Sequence, residues 1–140
     1  MQMTLAILKP DSVEAGNTGN ILALLEREGF KIRGIKMLRL SEIQAQAFYE
    51  VHKERPFYGS LVEFMTSGPC MPLALEREDA VPYLRQVMGA TDPAKADEGT
   101  IRKLFAASIE KNAIHGSDSA ENAEKELAFF FSRAELLATS

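Results

Sequence analysis

The chain has 140 residues, of which 46% are hydrophobic and 26% charged, and a formal net charge of −4 at pH 7. These values predict one globular domain, residues 1–140, and argue against a protein that coats nucleic acid through a basic surface. The chain has a single cysteine, Cys70, no signal-peptide pattern at its N-terminus and no apolar segment of ~20 residues, so we expect a cytoplasmic protein with neither a disulfide nor a membrane span.

The first three elements in chain order are predicted to be a strand, a helix and a second strand. TLAILKP (4–10) has the continuous apolar character of a buried strand. NILALLEREGF (20–30) places apolar residues at helical spacing, and Gly29 suits the C-terminal cap of that helix. KIRGIKMLRL (31–40) alternates loosely between apolar and polar residues, which predicts another strand.

A pair of helices and a third strand are predicted next. Ser41, with Gln44 three residues later, has the pattern of a capping box and indicates where a helix begins. FYGSLVEFM (57–65) predicts a second, short amphipathic helix. CMPLALE (70–76) predicts a strand, and because Pro72 cannot donate a ladder hydrogen bond, we expect an edge strand or a bulge there.

The rest of the chain is predicted to add helices, loops and a last strand. In chain order we expect a helix AVPYLRQVM (80–88), a long loop (89–99), a helix TIRKLFAAS (100–108), a loop NAIHGSDS (112–119), a helix AENAEKELA (120–128) and a strand FFF (129–131). Reduced to its core, the order of elements is β-α-β-β-α-β. It predicts an α+β fold: a ferredoxin-like antiparallel sheet with helices packed on one face and inserted helical segments.

Several common motifs of nucleotide and metal chemistry are absent from the chain. It has no GxxxxGK[ST] loop, no GxGxxG after a strand, no HExxH and no pair of cysteines. If the protein binds phosphates, charged and polar side chains must therefore hold them in place of a glycine-rich loop.

His115 is the leading candidate for chemistry, because it lies among small and polar residues and a neutral imidazole is a nucleophile. The residues alone leave it open as a nucleophile, a general base, a metal ligand or a packed core ring. The predicted fold can bring polar and cationic side chains of several segments to it: Lys9, Tyr49, His52, Arg85, Thr91, Arg102 and Asn112. Two arginines, a lysine and a hydroxyl around one histidine would form an anion site beside a nucleophile.

Each of these residues also has a purely structural interpretation. Arg85 and Arg102, taken singly, are typical of solvated charges on helices. His52 on an amphipathic helix is more often a structural or surface residue than a catalyst. Tyr49 is most simply a core aromatic with its hydroxyl at the surface, and Phe57 would ordinarily belong to the core.

Five motifs taken together turn these candidates into a specific hypothesis. The chain closely resembles nucleoside diphosphate kinases over nearly its whole length, from about Thr4. The resemblance lies in the motifs KPD, HKERPFYGSLVEFMTSGP, MGATDP, GTIR and NAIHGSDS. HGSDS at this spacing after GATDP and GTIR is specific, whereas a lone HGS would not be. The resemblance implies transfer of the γ-phosphate of a nucleoside triphosphate, mainly ATP, to a nucleoside diphosphate. It also implies a ping-pong mechanism through a phosphohistidine at His115.

The resemblance further implies roles for the residues around His115. Lys9 and Asn112 would hydrogen-bond the sugar hydroxyls, with Lys9 also reaching toward the transferred phosphate. Tyr49 would lie beside His115 and help to place it. Glu126 would hydrogen-bond the second ring nitrogen and fix the tautomer, as carboxylates do in hydrolase triads. The alternative for Glu126 is a surface helix charge paired with a lysine.

Two further groups of side chains would bind the nucleotide. The phosphates would be held by His52, Arg85, Thr91 and Arg102, since phosphoryl transfer depends mostly on positioning and charge stabilisation. The base would stack on Phe57, with Ile109 over its other face and Leu61 lining the slot. Stacking accepts every base, which suits an enzyme that uses all nucleotides.

The resemblance also predicts the cofactor and partners. Mg²⁺ would bridge the nucleotide's own phosphates without a metal site made of protein ligands, and Asp118 is the one candidate for a contact through water. Members of the family are homo-oligomers, and the sequence does not choose between a tetramer and a hexamer. We expect no membrane partner and no specific nucleic acid.

Three residues depart from the family's pattern. Lys103 and Leu104 stand where glycine and aspartate often follow TIR, and Arg77 replaces a common glycine. None belongs to the matched catalytic set, so the departures bear on packing or subunit contacts more than on activity.

Two other functions compete with the kinase. One is a non-catalytic nucleotide-binding or regulatory module on the same fold. The presence of every expected catalytic side chain argues against this function. The other is a nucleic-acid-binding protein on a ferredoxin-like sheet, for which the chain lacks the aromatic and basic ribonucleoprotein motif.

Overall fold

A four-stranded antiparallel sheet forms the centre of the structure, a computed structural model that describes residues 1–140. Its strands are β1 (Gln2–Leu8), β2 (Lys31–Ile35), β3 (Met71–Arg77) and β4 (Ile114–Gly116), in the spatial order β2-β3-β1-β4. β1 and β3 lie in the middle because both are runs of apolar residues that are buried on both faces of the sheet. The order and pairing confirm the predicted ferredoxin-like α+β fold.

Eight α-helices connect and cover the strands. They are α1 (Pro10–Glu14), α2 (Thr18–Arg27), α3 (Glu42–Phe48), α4 (Tyr58–Met65), α5 (Ala80–Met88), α6 (Ile101–Phe105), α7 (Ala120–Phe130) and α8 (Arg133–Leu137), with 3₁₀ turns at Glu50–His52 and Pro93–Lys95. The predicted capping box of Ser41 and Gln44 is present at the start of α3. None of these helices combines the length and the hydrophobicity that a membrane span requires.

Helices cover both faces of the sheet, so the prediction that they pack on one face is wrong. Alternate residues of the central strands point to opposite faces. Leu8, Leu73 and Leu75 pack with buried residues of α2 and α5 in one cluster. Leu5 and Ile7 pack with α3, α4 and α7 in a second cluster. The inserted helical segments therefore supply the second layer and bury the face that the core β-α-β-β-α-β pattern leaves open.

The aromatic run FFF is not the last strand, which corrects the prediction for residues 129–131. Helix α7 continues to Phe130, and the last strand is instead Ile114–Gly116, which pairs with β1. Phe130 lies three residues after Leu127 and both are buried on the sheet side, which is helical spacing. His115 consequently lies in a strand, and the prediction of a loop there is also wrong.

Pro72 lies in β3, an interior strand, and not at an edge. Its carbonyl accepts a hydrogen bond from the backbone N–H of Lys36, one residue beyond the end of β2. The register shift of this pair of strands falls in β2, between Ile32 and Gly34. The missing N–H of Pro72 therefore falls just beyond the end of β2. An interior strand can accommodate the proline there because no ladder hydrogen bond within β2 is lost.

Arg77, which departs from the family's pattern, ties the end of β3 to the C-terminus of α2. Its Nε donates to the carbonyl oxygen of Glu28 at 2.7 Å, and its guanidinium carbon lies 3.6 Å from the centroid of the Tyr83 ring. We expect Arg77→Ala to lower the free energy of unfolding by about 1–2 kcal/mol, because it removes a charged hydrogen bond and a cation–π contact. Urea unfolding measures this difference.

The matched control for this variant is Lys103→Ala, at another departure from the family's pattern. Lys103 is exposed and makes no side-chain hydrogen bond or ion pair. Its removal should change the free energy of unfolding by less than about 0.5 kcal/mol. Equal effects of the two variants would show that the contacts of Arg77 add nothing to stability.

Candidate active site

A single large cavity, of about 1110 Å³, opens beside the end of the sheet where β1 stops and β4 begins. Every candidate site residue of the sequence lines it: Lys9, Tyr49, His52, Phe57, Leu61, Arg85, Thr91, Arg102, Ile109, Asn112, His115, Asp118 and Glu126. The residues come from segments that are far apart in sequence. The fold brings all of them together, and none lies elsewhere.

The pleat of β4 aims His115 toward the cavity. His115 is directly opposite Ile7 of β1, while its neighbours Ile114 and Gly116 are buried. Ile114 packs in the cluster with α2 and α5, so the side chain of His115 points to the other face, toward α3 and α7. A Cβ at Gly116 would lie 2.5 Å from Met88 Sδ, so glycine lets α5 pack closely behind this strand.

The residue before this strand has a strained backbone that α1 holds in place. Ala113 has a φ of 74°, in the left-handed region that non-glycine residues rarely adopt. Its carbonyl oxygen accepts from the Lys9 N–H at 3.0 Å and from Ser12 Oγ at 2.8 Å, and its N–H donates to Asp11 Oδ2 at 3.1 Å. The KPD motif therefore fixes the start of the strand that carries His115.

One nitrogen of the His115 ring is occupied by protein and the other is free. Nε2 lies 2.8 Å from Glu126 Oε1, and because an ionised carboxylate only accepts, Nε2 carries the proton and donates it. Ser117 Oγ donates to the same carboxylate oxygen at 2.7 Å. No protein group bonds to Nδ1, which is therefore the nucleophilic lone pair of the neutral ring.

Two aromatic rings support the imidazole from the α3 side. The Tyr49 ring lies 6.2 Å from the His115 ring at 90°, and the Phe48 ring 5.4 Å away at 73°, centroid to centroid. Burial raises the pKa of the Tyr49 hydroxyl, so this group stays neutral. The hydroxyl is buried and has no hydrogen-bond partner.

Arg102 is a nearly buried cation whose bonds go only to backbone oxygens. It is 6% exposed and donates to the carbonyl oxygens of Ile114 at 2.8 Å, Gly89 at 3.1 Å and Asn112 at 3.3 Å. Burial, with the nearby charge of Arg85, lowers its pKa to about 10, so it is protonated at neutral pH. These bonds brace the start of β4 from the side of the cavity.

Lys9 is a second buried cation. It is 7% exposed, and its Nζ donates to Asn112 Oδ1 at 2.8 Å. Burial, followed by the charge of Arg102, lowers its pKa to about 8. Arg85 adds a third cation and donates to the carbonyl oxygen of Gly116 at 3.2 Å.

None of these three cations pairs with a carboxylate within 4.0 Å. Buried charges are ordinarily paired, so uncompensated cations around a cavity point to an anionic ligand.

The mouth of the cavity is apolar. Phe57 is 45% exposed and Ile109 is 60% exposed, and Leu61 also lines this part. The Phe57 ring lies 5.4 Å from the ring of His52, centroid to centroid. Exposed apolar side chains at the entrance of a cation-lined cavity suit a ligand with a flat aromatic end and an anionic end.

Asp118 is one of the acidic residues that line the cavity. The hydrogen bond from Asn122 Nδ2 to Asp118 Oδ1, at 2.6 Å, lowers the pKa of Asp118, and Arg85 adds to this effect. Asp118 is therefore ionised at neutral pH. The structure has no group of three or more His, Cys, Asp or Glu side chains that could hold a metal ion by themselves.

Sequence reasoning missed several residues that shape the site. Ser117 was detectable, because in extended backbone it shares a face with His115 two residues earlier. Phe48 could be found from its position beside Tyr49. Ser12 gave no signal, and Asp11 gave none beyond its place in the KPD motif, since their partner Ala113 is 101 and 102 residues away in the chain.

Comparisons with known proteins identify the family. A model of the family described as nucleoside diphosphate kinase matches residues 2–136. The chain belongs to the nucleoside diphosphate kinase family. A curated nucleoside diphosphate kinase of Chlorobaculum tepidum is 59% identical over 137 residues, 98% of each chain. That of Geobacter sp. (strain M21) is 54% identical over 98% of this chain and 100% of its own.

Solved structures of the family agree with this assignment. The Aquifex aeolicus nucleoside diphosphate kinase superposes with a TM-score of 0.94 at 46% identity and covers 96% of this chain and 97% of its own. The Halobacterium salinarum nucleoside diphosphate kinase, solved in complex with CDP, gives 0.91 at 40% identity over 96% and 90%. The protein is therefore an enzyme with nucleoside diphosphate kinase function, which transfers the γ-phosphate of a nucleoside triphosphate to a nucleoside diphosphate.

Proposed function

We propose that the enzyme transfers the phosphate in two steps through a phosphohistidine on Nδ1 of His115. One observation carries this proposal: Glu126 holds Nε2 as a donor, which leaves Nδ1 as the free ring nitrogen in a cavity with three unpaired cations. A fixed nucleophile with an oriented carboxylate behind it matches the general design of covalent catalysis.

The chemistry balances without a proton transfer to His115. In the first step the Nδ1 lone pair attacks the γ-phosphorus, the bond from that phosphorus to the bridging β–γ oxygen breaks, and the diphosphate leaves with the electron pair. In the second step a terminal oxygen of another diphosphate attacks the phosphorus and the P–N bond breaks, which restores the neutral ring. Nε2 keeps its proton throughout and donates it to Glu126. The negative charge of Glu126 stabilises positive charge on the ring.

Four side chains would hold the phosphates, and two the sugar. Arg85, Arg102, His52 and Thr91 bind the phosphate oxygens, and the arginines neutralise charge that spreads over the transferred group. Lys9 and Asn112 bind the sugar hydroxyls, and Lys9 also faces the transferred phosphate. Tyr49 packs on the His115 ring and places it. The contact from Lys9 to Asn112 arranges this pair before the nucleotide arrives.

The apolar mouth of the cavity would hold the base. Phe57 stacks on one face, Ile109 covers the other and Leu61 lines the slot between them. These contacts read no base edge, which is consistent with the use of all nucleotides as substrates.

A nucleotide kinase generally needs a divalent cation. The residues fit Mg²⁺ held mainly by nucleotide phosphates, because the cavity offers Asp118 as an ionised carboxylate and no cluster of several protein ligands. Asp118 would hold the ion through water. When bound, the ion would neutralise phosphate charge.

We propose that residues 1–140 act as one domain, that the enzyme is a homo-oligomer, either a tetramer or a hexamer, and that it works in the cytoplasm. Its partners are then nucleoside triphosphates and diphosphates, with no membrane and no specific nucleic acid.

Labelling of the protein tests the two-step route. Incubation with Mg²⁺ and γ-labelled ATP should give label on the protein that is labile in acid and stable in base, as a phosphohistidine is. A chase with GDP should move the label to GTP. If the wild-type protein takes up no label, the covalent route is excluded. If GTP also fails to form, a module that only binds nucleotides is favoured.

The pKa of Lys9 predicts a pH dependence of activity. Since burial lowers this pKa to about 8, the ammonium form needed to bind phosphate is lost as the pH rises through about 8. We expect kcat/KM for the nucleotide to be flat from about pH 7 to 7.5 and to fall above about pH 8. In Lys9→Gln the plateau should be lower and the fall near pH 8 absent. An unchanged fall in that variant would assign it to another group.

A further inference from the structure

The outer part of the cavity is a slot whose two walls belong to different segments of the chain. Phe57 and Leu61, at the start of α4, form one wall, and Ile109, in the loop 106–112, forms the other. Phe57 and Ile109 are 45% and 60% exposed. Leu61 packs against a core cluster but Ile109 packs against none, so core packing does not fix the position of the Ile109 wall.

One hydrogen bond joins the walls. Ser60 Oγ, in the first turn of α4, donates to Glu110 Oε2, and Glu110 directly follows Ile109. No other hydrogen bond and no ion pair connects residues 57–65 with residues 106–112. The Ser60–Glu110 bond is thus the single polar link across the slot.

Hydrogen bonds inside the loop 106–112 join the residues on either side of Glu110. The N–H groups of Ala107 and Ser108 donate to the carbonyl oxygen of Lys111, and the Lys111 N–H donates to Ser108 Oγ at 3.0 Å. At its inner end, Asn112 is held by Lys9 and Arg102. The inner end of the loop, at Asn112, is therefore held by the core of the site. The outer end, at Glu110, is held by its hydrogen bond with Ser60.

We propose that Ser60 and Glu110 are positioning residues that set the width of the slot and so the affinity of the enzyme for the base of its nucleotides. This inference rests on the proposed function, in which the slot holds the base. A slot whose two walls are already linked leaves less of the wall to be ordered on binding. The Ser60–Glu110 bond positions two apolar walls and contacts no base edge. It should therefore change the affinity for purine and pyrimidine nucleotides equally.

Three variants separate the hydrogen bond from the charge of Glu110. Ser60→Ala removes the bond and keeps the carboxylate. Glu110→Gln keeps an acceptor for Ser60 and removes the charge, while Glu110→Ala removes both. Ser67→Ala is the matched control, since Ser67 lies just beyond α4 and its hydroxyl donates only to the carbonyl oxygen of Phe64.

The measurement is kcat and KM for ATP, GTP and CTP, together with the inhibition constant of inorganic triphosphate, which has no base. Ser60→Ala and Glu110→Ala should raise KM about 3- to 10-fold for all three nucleotides and leave kcat unchanged, the range of a lost surface hydrogen bond. Glu110→Gln and Ser67→Ala should stay within about 2-fold of wild type. Inhibition by triphosphate should be equal in wild type, Ser60→Ala and Ser67→Ala, which all keep the charge of Glu110, a split that general destabilisation would not produce.

Two outcomes would overturn the proposal. A wild-type KM in Ser60→Ala means that the bond does not position the walls, and a change confined to one base means that Glu110 reads a base edge instead. Phe57→Ala separates this failure from failure of the base site itself. If Phe57→Ala also leaves KM unchanged, the slot does not hold the base and the larger proposal falls with this one. If it raises KM, only the role of Ser60 and Glu110 is lost.

Discussion

His115→Gln should abolish phosphate transfer while the protein stays folded. Glutamine has no lone pair of comparable nucleophilicity, but its amide N–H can still donate to the Glu126 carboxylate that now accepts from Nε2. We expect kcat to fall by about 10⁴-fold or more, as when the nucleophile of a covalent enzyme is removed. The variant should take up no label from γ-labelled ATP, and its urea midpoint should lie near that of wild type.

Glu126→Gln is the control for His115→Gln. It keeps the nucleophile and an acceptor oxygen near Nε2, but it removes the negative charge that stabilises the ring as Nδ1 bonds to phosphorus. We expect label still to form, with kcat about 10- to 100-fold lower. Acid-labile label on His115→Gln at the wild-type level would place the nucleophile elsewhere, and the free Nδ1 would then have no part in the reaction.

The fold was predictable from the sequence wherever the apolar spacing was long enough to distinguish helix from strand. The central strands are continuous apolar runs, and the helix that begins after Ser41 has its capping box as predicted. The strand Ile114–Gly116 escaped because three residues, one of them glycine, are too few to show alternation. Three adjacent phenylalanines suggested a strand by propensity, but Leu127 and Phe130 bury a helical face.

The set of residues in the candidate site was predictable, and so was the contact of Glu126 with the His115 ring. The side chains predicted from the motifs all line one cavity, although the roles of these side chains remain predictions. The contacts that hold the backbone just before His115 were not predictable, because the carbonyl oxygen of Ala113 meets Ser12 only after the whole chain has folded. A strained φ at Ala113 depends on that long-range contact, and no local pattern encodes it.

Arg102→Ala and Arg85→Ala should each lower kcat/KM by about 10²- to 10³-fold, because under the proposed function each removes a cation that stabilises charge on the transferred phosphoryl group. Their effects on stability should differ. Arg102 donates to three carbonyl oxygens from a nearly buried position, whereas Arg85 donates to one. We expect Arg102→Ala to lower the free energy of unfolding by about 2–4 kcal/mol and Arg85→Ala by less than about 1 kcal/mol.

Steady-state kinetics and urea unfolding on both variants separate catalysis from support of the backbone. If Arg102 serves only to brace β4, the loss of activity in Arg102→Ala should track unfolding and vanish when bound nucleotide or a lower temperature restores the folded population. If it also stabilises charge, a fully folded sample remains 10²- to 10³-fold slower, as Arg85→Ala does without a stability change. A wild-type kcat/KM in a folded variant would remove that arginine from the site. Under the proposed function, the guanidinium of Arg102 both braces the start of β4 and stabilises charge on the transferred phosphate, so one side chain serves the fold and the reaction.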